Sequence, residues 1–140
     1  MKKVCLSLLV CAFCLMSFQV AEAVTSYDKY GRKSGTYKQS GNTVTKYNKY
    51  GQKESTYKTN GSTTTSYDKN GRKVGTYKTS GSTTTSYDKY GRKTGTYKTN
   101  NNGVTVKYDK YGRKEGTFKT NSSGTITEYD KYGRKVKSYK

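Results

Sequence analysis

The chain has 140 residues, a length that permits one domain, and 28 Lys+Arg against 9 Asp+Glu with no His, for a formal net charge of +19. It has no Pro and no Trp, and its 3 Cys are Cys5, Cys11 and Cys14. Everything after residue 14 therefore lacks both Cys and His, which removes the usual nucleophile–base pairs and the soft metal ligands.

Residues 1–23 read as a secretory signal peptide. Lys2 and Lys3 precede the apolar run Val4–Phe18, and Ala21-Glu22-Ala23 supplies a small-x-small cleavage site. The run is short for a membrane span, which needs about 20 residues, and no Cys lies in a lipoprotein-like context. Cleavage after Ala23 leaves Val24–Lys140, 117 residues with 26 Lys+Arg against 8 Asp+Glu, or +18. The expected location is secreted, periplasmic or cell-surface.

The remaining chain has six Val, Ile126, Phe118 and all 16 Tyr as its apolar set. Such a composition cannot make an ordinary core, and low hydrophobicity with high charge is typical of disorder. The internal repeats argue for order instead. Tyr-Asp recurs at 27, 67, 87, 108 and 129, with Tyr47-Asn48 in the same frame, so units start at 27, 47, 67, 87, 108 and 129 and residues 24–140 form one repeat domain. Within each unit, Thr- and Tyr-rich runs alternate with Gly-containing turns, the signature of β-hairpins. One turn falls near Lys69-Asn70-Gly71 and the next near Thr79-Ser80-Gly81. The predicted fold is all-β: an antiparallel hairpin meander of about 11 strands, flat or coiled, roughly 50 Å along its stacking axis.

Each Asp of a Tyr-Asp pair has Arg four residues on (Asp68/Arg72, for example), and the unit with Asn48 has Gln52. The residues change together, as expected for side chains facing each other across a three-residue loop with Gly in the left-handed position. This register places Thr63, Thr65, Tyr67, Lys73, Gly75 and Tyr77 on one face, and Thr64, Ser66, Asp68, Arg72, Val74 and Thr76 on the other. The first face becomes an aromatic stripe along the sheet: Tyr27, Tyr37, Tyr47, Tyr57, Tyr67, Tyr77, Tyr87, Tyr97, Tyr108, Phe118 and Tyr129. The second varies among units at Val74 and Ser66 and reads as a tolerant polar surface. In the two 21-residue units the added residue falls in the second turn, at Asn100–Asn102 and Asn121–Ser123, and the faces are kept. Tyr97 is expected to pair with Val104 as Tyr57 does with Thr63.

Tyr-Asp-x-x-Gly-Arg at this period, over residues 25–140, resembles the YD repeat of bacterial Rhs-type proteins. That resemblance implies a β-repeat protein of the bacterial surface, since such repeats form long sheets that spiral into shells. The family usually has an apolar residue after Gly-Arg, where this chain has Lys33, Lys73, Lys93, Lys114 or Lys135.

The carboxylates offer no catalytic constellation, because the five repeated Asp are matched by Arg; no enzyme, cofactor or metal site is expected. The basic residues are more informative. Lys29, Arg32, Lys69, Arg72, Lys89 and Arg92 flank the first turns, as do Lys110, Arg113, Lys131 and Arg134. Stacked hairpins align them along one edge, repeating roughly every 9.6 Å. Such a row suits an anionic cell-envelope polymer or acidic glycan. Lys46 and Lys107, on the variable face, are expected to stand apart from it. The alternative is a structural or adhesive Tyr/Lys-rich coat protein that self-associates through its Tyr stripe or through Tyr cross-links. Asn60-Gly-Ser62 and Asn121-Ser-Ser123 are glycosylation sequons, relevant only in a eukaryotic secretory route.

Overall fold

The structure, a computed structural model, describes residues 23–140. Apart from Ala23, the signal peptide expected over residues 1–23 lies outside the described residues. Twelve antiparallel strands follow one another. They are β1 (Ala23–Asp28), β2 (Lys33–Ser40), β3 (Thr43–Asn48), β4 (Lys53–Asn60), β5 (Thr63–Asp68) and β6 (Lys73–Ser80), then β7 (Thr83–Asp88), β8 (Lys93–Thr99), β9 (Thr105–Asp109), β10 (Lys114–Thr120), β11 (Ile126–Asp130) and β12 (Lys135–Tyr139). Each strand pairs with its sequence neighbours, and β12 pairs with β1, so the meander closes into a barrel. The all-β hairpin architecture is as the repeats imply. The sheet has twelve strands rather than about 11, and it closes on itself rather than extending along a stacking axis.

The first turns are as the spacing predicts. Asp68 N–H donates to Arg72 O at 2.9 Å and Gly71 N–H to Asp68 O at 3.0 Å. Gly71 has φ 80°, a conformation that costs Gly nothing. The second turns of the 20-residue units are tighter, with Ser80 paired to Thr83 around Gly81-Ser82. In the 21-residue units the extra residue converts this into a copy of the first turn: Asn100 N–H donates to Val104 O at 2.9 Å, and Asn100 Oδ1 accepts from the N–H groups of Asn102 and Val104. The insertion is confined to the loop, but the expected partners are displaced. Tyr57 pairs with Ser66, and Tyr97 with Lys107, which holds the equivalent position in its unit.

Just after each first turn the ladder shifts by one residue. Tyr67 pairs with Lys73, but Ser66 pairs with Gly75, leaving Val74 as an unpaired bulge. The same shift occurs in all six first-turn hairpins. Because side chains alternate with period two, one extra residue exchanges the faces of the rest of the strand. The single aromatic stripe is thereby split. Tyr37, Tyr57, Tyr77, Tyr97 and Phe118 share the face of Val24, Val44, Thr64, Thr84 and Thr105, opposite which they pair. Tyr139 joins them opposite Ile126. This face lines the interior: Tyr37, Val44, Tyr97, Phe118, Ile126 and Tyr139 form one buried cluster, with Val24, Tyr57 and Tyr77 packed against it. Tyr27, Tyr47, Tyr67, Tyr87, Tyr108 and Tyr129 lie on the outer wall.

Each outer Tyr lies beneath a Lys from the neighbouring strand, as Lys58 Nζ lies 5.5 Å from the centre of the Tyr67 ring. Beside it, Thr56 is paired with Tyr67 and buried. The interior is aromatic and hydroxylic, with Thr64, Thr84 and Thr105 buried opposite Tyr77, Tyr97 and Phe118, as residues 24–140, which contain no Leu, require. Gly75 permits close packing next to the bulge, where a Cβ would lie 2.5 Å from Tyr87 O.

Candidate functional site

The six first turns gather at one rim of the barrel. Lys29, Arg32, Lys69, Arg72, Lys89, Arg92, Lys110, Arg113, Lys131 and Arg134 all lie there, and Lys49 of the Asn48 turn joins them. The predicted straight edge is bent into a closed ring. A further Lys begins each following strand at 33, 53, 73, 93, 114 and 135, and all six are exposed. Counting Asp, both Lys and Arg, each turn carries a net +2. The Asn48/Gln52 turn also carries +2, because it lacks one charge of each sign. The turns at the other rim, such as Ser80-Gly81-Ser82-Thr83 and Asn100–Val104, contain no charged residue.

Asp fixes the geometry of each turn. Asp88 Oδ1 accepts from the N–H groups of Tyr90 and Arg92, both at 2.9 Å, and Oδ2 pairs with Arg92 Nε at 2.7 Å. The backbone N–H of the Arg is the largest influence holding Asp88 below its ordinary carboxylate pKa, outweighing desolvation, with the guanidinium adding to it. Asp28, Asp68, Asp109 and Asp130 are lowered for the same reasons. The Arg side chains remain about three-quarters exposed, at 74–76 %. The Asp therefore orients each guanidinium by one edge and leaves most of it in solvent.

Clefts separate successive turns. One of about 560 Å³ is lined by Asp109, Arg113, Lys114 and Glu115 on one side and Asp130, Lys131, Tyr132 and Arg134 on the other. Another of about 700 Å³ lies between the second and third turns, lined by Lys46, Asn48, Gln52, Lys53, Glu54 and Lys69 among others. Cations from adjacent hairpins thus face one gap, which carboxylates of the same hairpins also line.

On the variable face the Ser66 position is buried or half-buried in every unit, whereas the Val74 position is mostly exposed. Lys46 Nζ pairs with Glu54 Oε2 at 2.8 Å and Lys107 Nζ with Glu115 Oε2 at 3.0 Å. At the equivalent positions Ser26 and Ser34 share a hydroxyl hydrogen bond at 2.9 Å, and Thr94 donates to Ser86 at 2.9 Å. In these four hairpins the bulge residue and the residue eight before it vary together, whereas Ser66 donates to Gly75 O at 3.3 Å and Glu128 accepts from Tyr139 Oη at 3.1 Å. The constant separation of eight residues between Lys46 and Glu54, and between Lys107 and Glu115, was the available signal.

Sequence reasoning also missed the turn tips. Tyr30, Tyr50, Tyr90, Tyr111 and Tyr132 project from the rim with 70–75 % exposure, and the third turn has Asn70 instead. Lys89 Nζ lies 4.9 Å, and the Arg92 guanidinium carbon 5.2 Å, from the centre of the Tyr90 ring. The same pair flanks Tyr30, Tyr111 and Tyr132.

No protein-family model matches the chain, and no curated protein matches it.

Proposed function

We propose that this is a secreted, non-enzymatic repeat protein that binds anionic polymers of the bacterial cell surface through its ring of basic turns. The observation that carries the reading is the constancy of charge at one rim. Every first turn bears net +2, even where Asp and Arg are both replaced, while the turns of the other rim bear none. A polymer crossing the ring meets several oriented cations at once, and the affinity is the sum of many small counterion-releasing contacts. Lys38, Lys58, Lys78, Lys98, Lys119 and Lys140 project from the outer wall, where a lipid-facing barrel would carry an apolar band. The likeness of the repeats to YD units fits the same setting.

Replacing Lys69, Arg72, Lys89 and Arg92 with Gln should weaken binding to polyphosphate and flatten its salt dependence. Lys38, Lys58, Lys78 and Lys98 on the wall form the comparison set. Lys46 and Lys107 are unsuitable for it, because their ammonium groups are paired with Glu54 and Glu115. Equal losses from the two sets in titrations at several salt concentrations would reduce the rim to ordinary solubilising charge. The adhesive-coat alternative would have to act through the five tip tyrosines, since the predicted stripe is divided between the lumen and the Lys-covered wall. Association of that kind would persist at high salt.

A further inference from the structure

We propose that the tip tyrosines are sugar-stacking subsites, so that the polymer taken by the rim is an acidic polysaccharide. This inference rests on the basic-rim reading and adds the chemistry of the ligand to it. The turn itself does not need Tyr. In the third turn Asn70 N–H donates to Asp68 Oδ1 at 2.8 Å, Arg72 N–H to the same oxygen at 2.9 Å, and Arg72 Nε pairs with Oδ2 at 3.0 Å. The Tyr90 turn makes the same three bonds at 2.9, 2.9 and 2.7 Å. Gly71 and Gly91 have φ 80° and 82°. Asn therefore builds the turn as well as Tyr, and a ring that is 71 % exposed at Tyr90 contributes little burial to the fold. Five aromatic rings are nevertheless presented to solvent at the charged rim, beside cations already held in place.

An aromatic ring next to Lys and Arg matches a sugar acid. The C–H face of the pyranose packs on the ring, the phenol hydroxyl reaches a sugar hydroxyl, and the carboxylate meets the ammonium or guanidinium. Successive tips are at least two strand spacings apart, roughly 9.6 Å. A disaccharide with one carboxylate spans such a step. A nucleic-acid strand, with a phosphate about every 3.4 Å of duplex axis, would crowd several charges into it.

The test uses the substitution that the chain itself contains. Tyr30, Tyr50, Tyr90, Tyr111 and Tyr132 are changed together to Asn, which leaves every charge in place, and Asn70→Tyr is made separately. Binding to hyaluronate, to ring-free polyphosphate and to oligo-dT is titrated at one salt concentration, and circular dichroism and thermal melting check the fold. The Asn variant should lose about tenfold or more in hyaluronate affinity and less than about twofold for polyphosphate, and Asn70→Tyr should tighten hyaluronate alone. Equal losses for hyaluronate and polyphosphate would mean that the rings merely support the cations, and would overturn the proposal. So would an unchanged hyaluronate affinity, or a loss confined to oligo-dT, which would assign base stacking. Failure of the unmodified protein to bind polyphosphate at low salt would instead remove the rim reading beneath it.

Discussion

Lys140 Nζ lies 5.7 Å from the centre of the Tyr27 ring, joining the last residue described to the first strand. Five equivalent contacts, from Lys38 over Tyr47 to Lys119 over Tyr129, span 5.4–5.7 Å within the repeats. The seam of the barrel therefore reuses the contact that joins its hairpins. Its ladder is short: Ser26, Tyr27 and Asp28 pair with Tyr139, Ser138 and Lys137. Thr25 and Lys140 extend it by two backbone hydrogen bonds of 2.7 and 2.9 Å. Tyr139 anchors it from inside, tilted against Tyr37 at 6.2 Å and donating to Glu128 Oε2 at 3.1 Å.

Closure should consequently depend on Tyr139 more than on Lys140. Tyr139→Ala is expected to cost about 3–5 kcal/mol, the range for deleting a buried aromatic, and Lys140→Gln less than about 1 kcal/mol. Opening the seam frees the edges of β1 and β12, so the Ala variant should also associate with rising concentration. Denaturant titration and light scattering would read the two effects. An Ala variant that is stable and monomeric would show that β1 and β12 hold together without Tyr139.

Asp acts in the first turns chiefly as a backbone acceptor. Asn48 Oδ1 accepts from the N–H groups of Tyr50 and Gln52 at 2.9 Å, and its amide donates to Gln52 Oε1 at 2.9 Å, so a neutral pair makes the same turn. Asp68→Asn with Arg72→Gln should thus melt within about 2 °C of the parent protein. The exchange Asp68→Arg with Arg72→Asp should melt lower, because Arg cannot accept the two N–H groups. Thermal melts in which the exchange matches the parent would make charge pairing, not backbone capping, the function of Asp68.

Stability should fall at both ends of the pH range. The five turn Asp have pKa values lowered from 3.8 in the fold, so their contribution is complete above that value and is lost as pH falls through the folded values. Tyr37 and Tyr139 are raised above 10.0, by burial first and then by nearby acidic groups. Their contribution is present below pH 10 and is lost as pH rises through the folded values. Melting temperature should be flat from about pH 5 to pH 9 and decline outside that window. In Tyr37→Phe with Tyr139→Phe the alkaline decline should diminish while the acid decline stays. An unchanged alkaline limb would assign it to other groups.

What could be read from residue order was whatever acts over a few residues. The Asp68/Arg72 pairing, the left-handed Gly71, the hairpin period and the confinement of the added residues near Asn100 and Asn121 to turns are local matters of backbone geometry. The tip tyrosines were overlooked although Tyr-Asp-Lys-Tyr-Gly carries them in order, with Asn70 as the exception that frees them from a role in the turn. Two things were decided only in three dimensions. The bulge at Val74 exchanges the faces of the strand after it, so that Tyr67 points outward and Tyr77 inward; a period-two pattern carries no record of where its parity changes. Closure belongs to no single repeat. It comes from twist and stagger accumulated over twelve strands until β12 meets β1. That meeting turns a row of basic turns into a ring, because only in a closed sheet do the first and last hairpins become neighbours.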